Sequence, residues 1–503
     1  MICNMNKFIL SIDQGTTSSR VVIYDKNFIV IDSLQKDVDQ FFPKDGWVEH
    51  DAYSIWKDVK KLIKDLLKKN NIDSSQILSI GISNQRETTV MWDKTNGIPI
   101  NRAIVWQDRR TNDICKNLRD QKLEKKVQKI TGLVIDPYFS ATKIKWILDN
   151  NPKAKSLIKE KKLLFGTIDT WLLWNLTERK SHLTDITNAS RTMLYDLENE
   201  DWSHEILRSL NIPKDILPEV TQNTYDFGST NLFGDSIPIG GMAGDQQASA
   251  IGLSCFKKGQ TKSTYGTGCF LLMNIGEKFK LSSNNLITSV AFKIGNEKMY
   301  CFEGSIFVAG SAIQWLRDKL FFFKDAKQTE LLYSEAKSSE NVVIVPALTG
   351  LGAPHWNPNA RGAIFGLTRN TAIPEIVKAT LDSLAFQTFD LINIMEKDSN
   401  IKINEIYVDG GMADNKKFIQ SLSDILQIEI IKPSNVEASA LGAAYLAFIN
   451  FMSQKNNNQL AINMDKYNVK ESISFIPKID KSSAKTKLVK WKKAVSALIS
   501  FHS

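Results

Sequence analysis

Ile239-Gly240-Gly241-Met242-Ala243-Gly244-Asp245-Gln246-Gln247-Ala248, near the midpoint of the chain, is the segment from which the architecture can be read. An apolar run, Ile237 to Ile239, leads into glycines, and the helix-compatible Gln-Gln-Ala-Ser-Ala follows. This predicts a strand that becomes a helix at Asp245 and Gln246, with glycines on one side that let a ligand approach the backbone. A carboxylate at such a joint can take the proton of a bound hydroxyl or hold a metal. It can equally cap the helix, since Asp is a preferred cap residue.

The joint recurs. Ile406-Tyr407-Val408-Asp409 runs into Gly410-Gly411-Met412-Ala413-Asp414-Asn415 and a second helix. A hairpin recurs too. Phe8 to Asp13 is a buried-strand pattern, Gln14-Gly15-Thr16-Thr17-Ser18-Ser19 turns, and Arg20 to Tyr24 runs back, with a third strand expected over Phe28 to Ser33. Its counterpart is Gly259 to Thr264, then Tyr265-Gly266-Thr267-Gly268, then Cys269 to Met273. Such turns expose backbone N–H groups and hydroxyls to phosphate oxygens, and Asp13 is placed to bind the accompanying magnesium. An ordinary hairpin turn is also rich in Gly and Ser. The repetition implies a duplicated α/β domain clamping a nucleotide between its halves, at 1–253 and 254–503.

Asp51 to Lys69 has one apolar face (Ile55, Val59, Leu62, Ile63, Leu66) and reads as a helix. Ile77 to Ile82 reads as a strand that delivers Ser83-Asn84-Gln85-Arg86-Glu87-Thr88 at its C-terminal end, where open α/β sheets bind ligands. Arg86 offers a donor fork and Glu87 an acceptor, a pair suited to vicinal hydroxyls. A solvated charged loop is the alternative. Ile104 to Arg110 repeats the arrangement around Trp106, and Asp136-Pro137-Tyr138-Phe139 precedes a helix with Lys143 and Trp146. Phe165 to Trp171 and Thr184 to Ser190 are loop-to-helix joints given no chemistry. Phe302 to Gly310 is expected to open a helix containing Gln314 and Trp315. His355, between Pro354 and Trp356, reads as structural, and Ala484 to Phe501 as a docked C-terminal helix rather than a membrane-surface one.

Bulk properties narrow the class. A chain of 503 residues exceeds one core. Its 43% hydrophobic and 24% charged residues are those of a soluble globular protein. The net charge of +9 is scattered, without basic clusters interleaved with aromatics, which fits anionic ligands such as nucleotides better than nucleic acid. Cys3, Cys115, Cys255, Cys269 and Cys301 form no CxxC pair, so reduced thiols in a cytoplasmic protein are expected. No signal-peptide core and no run long enough to span a bilayer is present, so no stable membrane insertion is expected.

From about Phe8 to Ala494 the chain resembles the FGGY carbohydrate kinase family, and within it the members that act on glycerol. The resemblance is carried by Asp13-Gln14-Gly15-Thr16-Thr17-Ser18-Ser19-Arg20, Asn84-Gln85-Arg86-Glu87-Thr88, Trp106-Gln107-Asp108-Arg109, Asp136-Pro137-Tyr138-Phe139-Ser140, Gly244-Asp245-Gln246-Gln247 and Tyr265-Gly266-Thr267-Gly268-Cys269-Phe270. Two family-wide signatures, Tyr138 through Asn150 and Gly362 through Asp382, are also present. The resemblance implies an actin-like, ribonuclease-H-type fold in each half and ATP-dependent phosphorylation of glycerol to glycerol 3-phosphate, with Mg2+ and a homo-oligomeric state, dimer or tetramer. It implies Asp245 as general base and Asp13 as the magnesium carboxylate. Arg86, Glu87, Tyr138, Asp245 and Gln246 would bind the glycerol hydroxyls, and Trp106 and Phe270 would pack on its carbon edge. Thr16, Thr17, Ser18, Arg20, Thr267, Gly310, Gln314, Gly411 and Asn415 would hold the nucleotide. A family member for another polyol or pentulose is the nearest alternative. An actin- or Hsp70-like ATPase is the alternative of another class, though it has no evident use for Arg86, Glu87 and Trp106. Tyr225 to Ser236 lacks both the phosphorylatable histidine and the Gly-Lys-Gly-Gly-Thr-Arg loop found in some relatives, so regulation by those routes is not expected.

Overall fold

Phe8-Ile9-Leu10-Ser11-Ile12 shows no polar–apolar alternation, and it forms a strand buried on both faces. In the computed structural model, residues 7–337, 341–355, 357, 359–433, 437–455 and 472–502 are described. Cys3 and Trp356 therefore lie outside the described residues. The strand β1 (Phe8–Gln14) pairs antiparallel with β2 (Ser18–Tyr24), and β2 with the edge strand β3 (Val30–Asp37). The third strand starts two residues later than expected, because Phe28 takes a left-handed φ of 61° and packs its ring edge-on against Tyr445 at 4.3 Å. Helix α1 (Ala52–Lys69) begins where Asp51 accepts the amides of Tyr53 and Ser54, as a capping carboxylate should. It turns Ile55, Val59, Leu62, Ile63 and Leu66 inward.

Strand β4 (Ile77–Asn84) lies parallel to β1 and to β5 (Ile237–Gly244). Between them come α2 (Ser140–Asn150) and α3 (Ile168–Leu176), with several shorter elements. Helix α4 (Asp245–Gly252) follows β5 directly. The expectation that β5 stops at its glycines is corrected: the strand runs unbroken to Gly244. A Cβ on Gly241 would stand 2.4 Å from the Ala447 amide nitrogen, so there the missing side chain admits a helix rather than a ligand.

The second half repeats the order. Strand β6 (Thr261–Tyr265) pairs antiparallel with β7 (Cys269–Gly276), while β8 (Ile287–Ile294) and β9 (Glu297–Ile306) extend that side. Phe302 to Ile306 is thus strand, not the opening of a helix. The helix, α5 (Gly310–Asp318), starts only after the chain leaves the sheet. After α6 (Ile373–Ser399), strand β10 (Glu405–Asp409) lies parallel to β6. Helix α7 (Lys416–Leu426) leads to β11 (Glu429–Pro433), helix α8 (Ala438–Lys455), strand β12 (Ser472–Phe475) and helix α9 (Lys481–Phe501). The sheets read β5-β4-β1-β2-β3 and β11-β10-β6-β7-β9, with a short strand, Ser229–Thr230, beyond β5 and with β12 and β8 at the outer ends of the second. This is the two-domain α/β fold of the actin-like ATPase type.

Late in each half a helix crosses to the other. Helix α8 follows β11 yet packs on β4, β5 and β1 and against α4. The crossing is backbone to backbone: a Cβ on Gly442 would stand 1.8 Å from Ala248 O, and one on Gly252 2.1 Å from Ala438 O. Helix α9 docks through Leu488, Trp491, Ala494, Val495 and Leu498, with the Trp491 indole donating to Asp390 at 2.7 Å. Among the described residues no helix is long and apolar enough to cross a membrane. Cys115, Cys255, Cys269 and Cys301 are buried free thiols.

Candidate active site

Where β4 ends, the backbone folds back and Glu87 adopts φ 61°. A side-chain-bearing residue in that region costs on the order of 1–3 kcal/mol and persists only when its surroundings hold it there. The Ser140 and Thr89 hydroxyls do so, donating to Glu87 O at 2.9 and 3.1 Å. Arg86 crosses the bare backbone of Gly244, where a Cβ would come within 2.6 Å of its Cδ. Its Nε lies 3.2 Å from Asp245 Oδ1, and its terminal nitrogen donates to Glu303 at 2.7 Å and to Gln247 at 3.1 Å. Glu303 comes from β9, in the other half. Arg191 Nε donates to Glu87 at 2.5 Å and sits 3.5 Å from Glu303 on its other side, above the rings of Tyr138 and Phe139.

These four charges alternate in sign and are nearly dry. Burial alone would push the Glu303 carboxyl up, but Arg191 and Arg86 hold it down at about 2. Burial pushes Glu87 up, with the same two arginines opposing. Asp245 differs. Its side chain is 27% exposed where those of Arg86 and Glu87 are 2% exposed, so it is the acid of the group most open to a bound alcohol. Gly244 is the helix cap, so Asp245 is spared that task, and its carboxylate accepts from Arg86 and the Gln246 amide (2.7 Å).

Gln246 Oε1 accepts from the buried Lys262 ammonium, which also donates to Thr264 Oγ1 at 2.7 Å. That assignment leaves the Gln246 amide nitrogen as a donor. The Trp106 ring stands 5.4 Å from Tyr138 and 5.9 Å from Phe270, gathering three aromatics from distant segments. The Trp106 indole donates to Thr16 Oγ1 at 2.8 Å, so the first hairpin touches this wall. Lys143, fully buried, caps the carbonyls of Pro137, Tyr138 (2.7 Å) and Phe139 (3.2 Å) and thereby fixes the Tyr138 segment. Burial brings its pKa down to about 7.

The hairpins flank this centre. In the first, the Gly15 amide donates to Ser18 O at 2.9 Å, while Thr16 and Ser18 are half-buried and Thr17 is exposed. Arg20 is ion-paired with Glu437 and bonds Gln35 at 2.9 Å. In the second, the amides of Ala309 and Ser311 donate to Thr267 O at 3.1 and 3.0 Å, and Gly310 N donates to Gly266 O at 2.9 Å. The start of α5 is thus seated on the Thr267 turn, with Gln314 exposed one turn along. A Cβ on Gly411 would meet nothing within 4 Å. Asn415 is already occupied: it caps α7 by accepting from Lys417 and Phe418 and donates to Thr329 at 3.0 Å.

For a cation the donors are carboxylates. Burial, with Asp245 and Asp409 nearby, pushes the Asp13 carboxyl up to about 6. Asp409 Oδ2 accepts from Ser249 at 2.8 Å, while its buried Oδ1 has no hydrogen-bond partner. An orphaned carboxylate oxygen among gathered acids suits Mg2+, which takes one or two carboxylates and completes its shell from water and phosphate. Among the described residues no cluster of three or more His, Cys, Asp or Glu could cage a metal unaided.

Glu303, Arg191, Gln247 and Lys262 escaped the sequence reading. Glu303 carries a signal, an acid within the apolar stretch Met299 to Ile306, but local pattern there suggests the start of a helix. Arg191 directly follows the Thr184–Ser190 joint that was given no chemistry.

Residues 8–252 match the N-terminal domain of the FGGY family of carbohydrate kinases and residues 261–451 its C-terminal domain. Glycerol kinase 1 of Clostridium tetani is 47% identical over 98% of both chains. The glycerol kinase of Listeria monocytogenes serotype 4b is 50% identical over 90% of this chain and 92% of its own. Among solved structures, Plasmodium falciparum glycerol kinase with ADP superposes with a TM-score of 0.89 at 35% identity, covering 98% of both chains. A xylulose kinase from Lactobacillus acidophilus superposes at 0.85 with 22% identity over 99% of each chain, a likeness of fold.

Proposed function

The chain belongs to the FGGY family of carbohydrate kinases, and from that premise we propose that it transfers the γ-phosphoryl group of ATP to glycerol, giving glycerol 3-phosphate and ADP. The observation that carries the reading is Asp245: an accessible carboxylate where the two halves meet, beside a buried Arg–Glu cluster and a wall of three aromatics.

Arg86 and the Gln246 amide donate to glycerol oxygens, and Glu87 and Asp245 accept from its hydroxyls. Trp106, Tyr138 and Phe270 cover the carbon edge and keep water out. Asp245 takes the proton of the attacking hydroxyl as its oxygen bonds to the γ-phosphorus and the bond to the β-phosphate bridge breaks. Thr16, Thr17, Ser18, Thr267, Gly310 and Gly411 line the phosphate path. Arg20 and Asn415 act through the frame that holds the two turns, and Gln314 offers an amide at the outer rim. Asp13, with Asp409 nearby, is the residue to hold Mg2+, which when bound would neutralise phosphate charge. Phosphoryl transfer depends on positioning and charge neutralisation more than on covalent help.

The test is ADP release by the purified chain with glycerol, with a pentulose and with neither. Glycerol-dependent turnover is expected. A pentulose turned over much faster than glycerol would replace the substrate, and alcohol-independent turnover would replace the kinase by an actin- or Hsp70-like ATPase.

A further inference from the structure

Beneath the cleft lies a polar cluster that the reaction above does not use. Asn84, Asp185, Thr187, Asn188 and Asn223 are each 0% exposed. The Asp185 carboxylate accepts from the Thr187 amide at 2.7 Å, the Thr187 hydroxyl, Asn188 Nδ2 at 2.7 Å and Asn223 Nδ2 at 2.8 Å. With its proton committed to Asp185, the Thr187 oxygen is left as an acceptor. It receives the backbone N–H of Gly244 at 2.9 Å, one residue before Asp245.

The same cluster holds the strands on either side. Asn223 Nδ2 also donates to Met242 O at 2.9 Å, two residues further back along β5. Asn188 and Asn84 exchange side-chain amide bonds of 2.9 and 3.0 Å, fixing the end of β4 from which Arg86 issues. Gly244 has no side chain by which packing could hold it, and Arg86 occupies the space where a Cβ would stand. Its orientation therefore rests on its backbone bonds, and the N–H of a cap residue has no partner within the helix. Burial, with Asp169 close by, pushes the Asp185 carboxyl up to about 7, a cost that an amide in its place would avoid.

We propose that Thr187, oriented by Asp185, is a positioning residue that fixes Asp245 for proton transfer. The proposal rests on the reading of Asp245 as the base. The experiment is a double-mutant cycle: Thr187→Val and Thr187→Ser, each alone and combined with Asp245→Asn, with kcat, both KM values and the melting temperature measured for every variant. Thr187→Val is expected to lower kcat by about 10–100-fold with both KM values little changed, the scale at which a small misplacement of a reacting group is felt. Thr187→Ser should restore most of it. In the Asp245→Asn background the valine substitution should change kcat by less than about twofold, because coupled residues are non-additive. Wild-type kcat in Thr187→Val, or an equal loss in both backgrounds, would overturn the proposal while leaving Asp245 as base. Full activity in Asp245→Asn would overturn both. If the valine variant does not fold, Thr187→Ala enters the same cycle with the same expectations.

Discussion

The two halves share one strand order but distribute chemistry differently along it. Between β4 and β5 the first half carries residues 85–236, and from there come Arg86, Glu87, Trp106, Tyr138 and Arg191. Between β10 and β11 the second half carries little beyond α7. The acids are exchanged as well. In the first half Asp13 on β1 sits beside Ser83 on β4, and in the second Thr264 on β6 sits beside Asp409 on β10. Duplication thus fixed the backbone places, whereas the strand that bears the charge differs between copies. In the proposed reading the long insert belongs to the alcohol and the two turns to the nucleotide, and the chemistry occurs where they meet.

The variant at the meeting point should have the largest effect. Asp245→Asn keeps shape but not basicity and should cost about 10²–10⁴-fold in kcat, the usual worth of a positioned base. Its melting temperature and ATP binding should stay near native, as kinetics and thermal scans would register. Next is the charge bridge between halves. Glu303→Gln leaves Arg86 and Arg191 short of a counter-charge, and breaking a buried ionic set of this kind destabilises by about 3–5 kcal/mol. Urea denaturation should report that loss. A wild-type midpoint would mean that the halves are not tied there.

Two variants should separate the halves' tasks through KM. Arg86→Ala opens the same buried ionic set and should also lower stability, while in the folded protein KM for glycerol rises by an amount equivalent to roughly 1–3 kcal/mol per lost partner and KM for ATP stays in place. Thr267→Ala should do the reverse, by about 0.5–1.5 kcal/mol. Steady-state kinetics with each substrate varied in turn would show the crossing pattern, and parallel shifts in both KM values would break the division of labour. The smallest effect concerns acid. Burial holds His50 down at about 4 against an ordinary 6.5, so folded protein stays neutral there while unfolded chain protonates. The stability contributed is complete above about pH 6.5 and is lost as pH falls toward 4. His50→Phe should therefore lose its disadvantage in melting temperature between pH 7 and pH 5.

What was legible followed from local pattern. Buried strands, hairpin turns rich in Gly and Thr, and the apolar face of α1 are written in neighbouring residues. Arg86, Glu87 and Asp245 stood out because they follow strand ends. Glu303 did not, since its meaning depends on Arg86 and Arg191, 217 residues away in the first case. Gly241 of β5 misleads for the same reason. Its partner is a helix near the far end of the chain, so no window of sequence could distinguish space for a ligand from space for α8.

That helix crossing has a mechanical consequence. At Gly442 and Gly252 the surfaces in contact are peptide backbone. So close an approach makes the crossing the short arm of any rotation between the halves. Asp245 lies at the first residue of α4, close to the pivot, where a given angular swing produces the least travel. In any such rotation the turns at the cleft rim would sweep through larger arcs than Asp245.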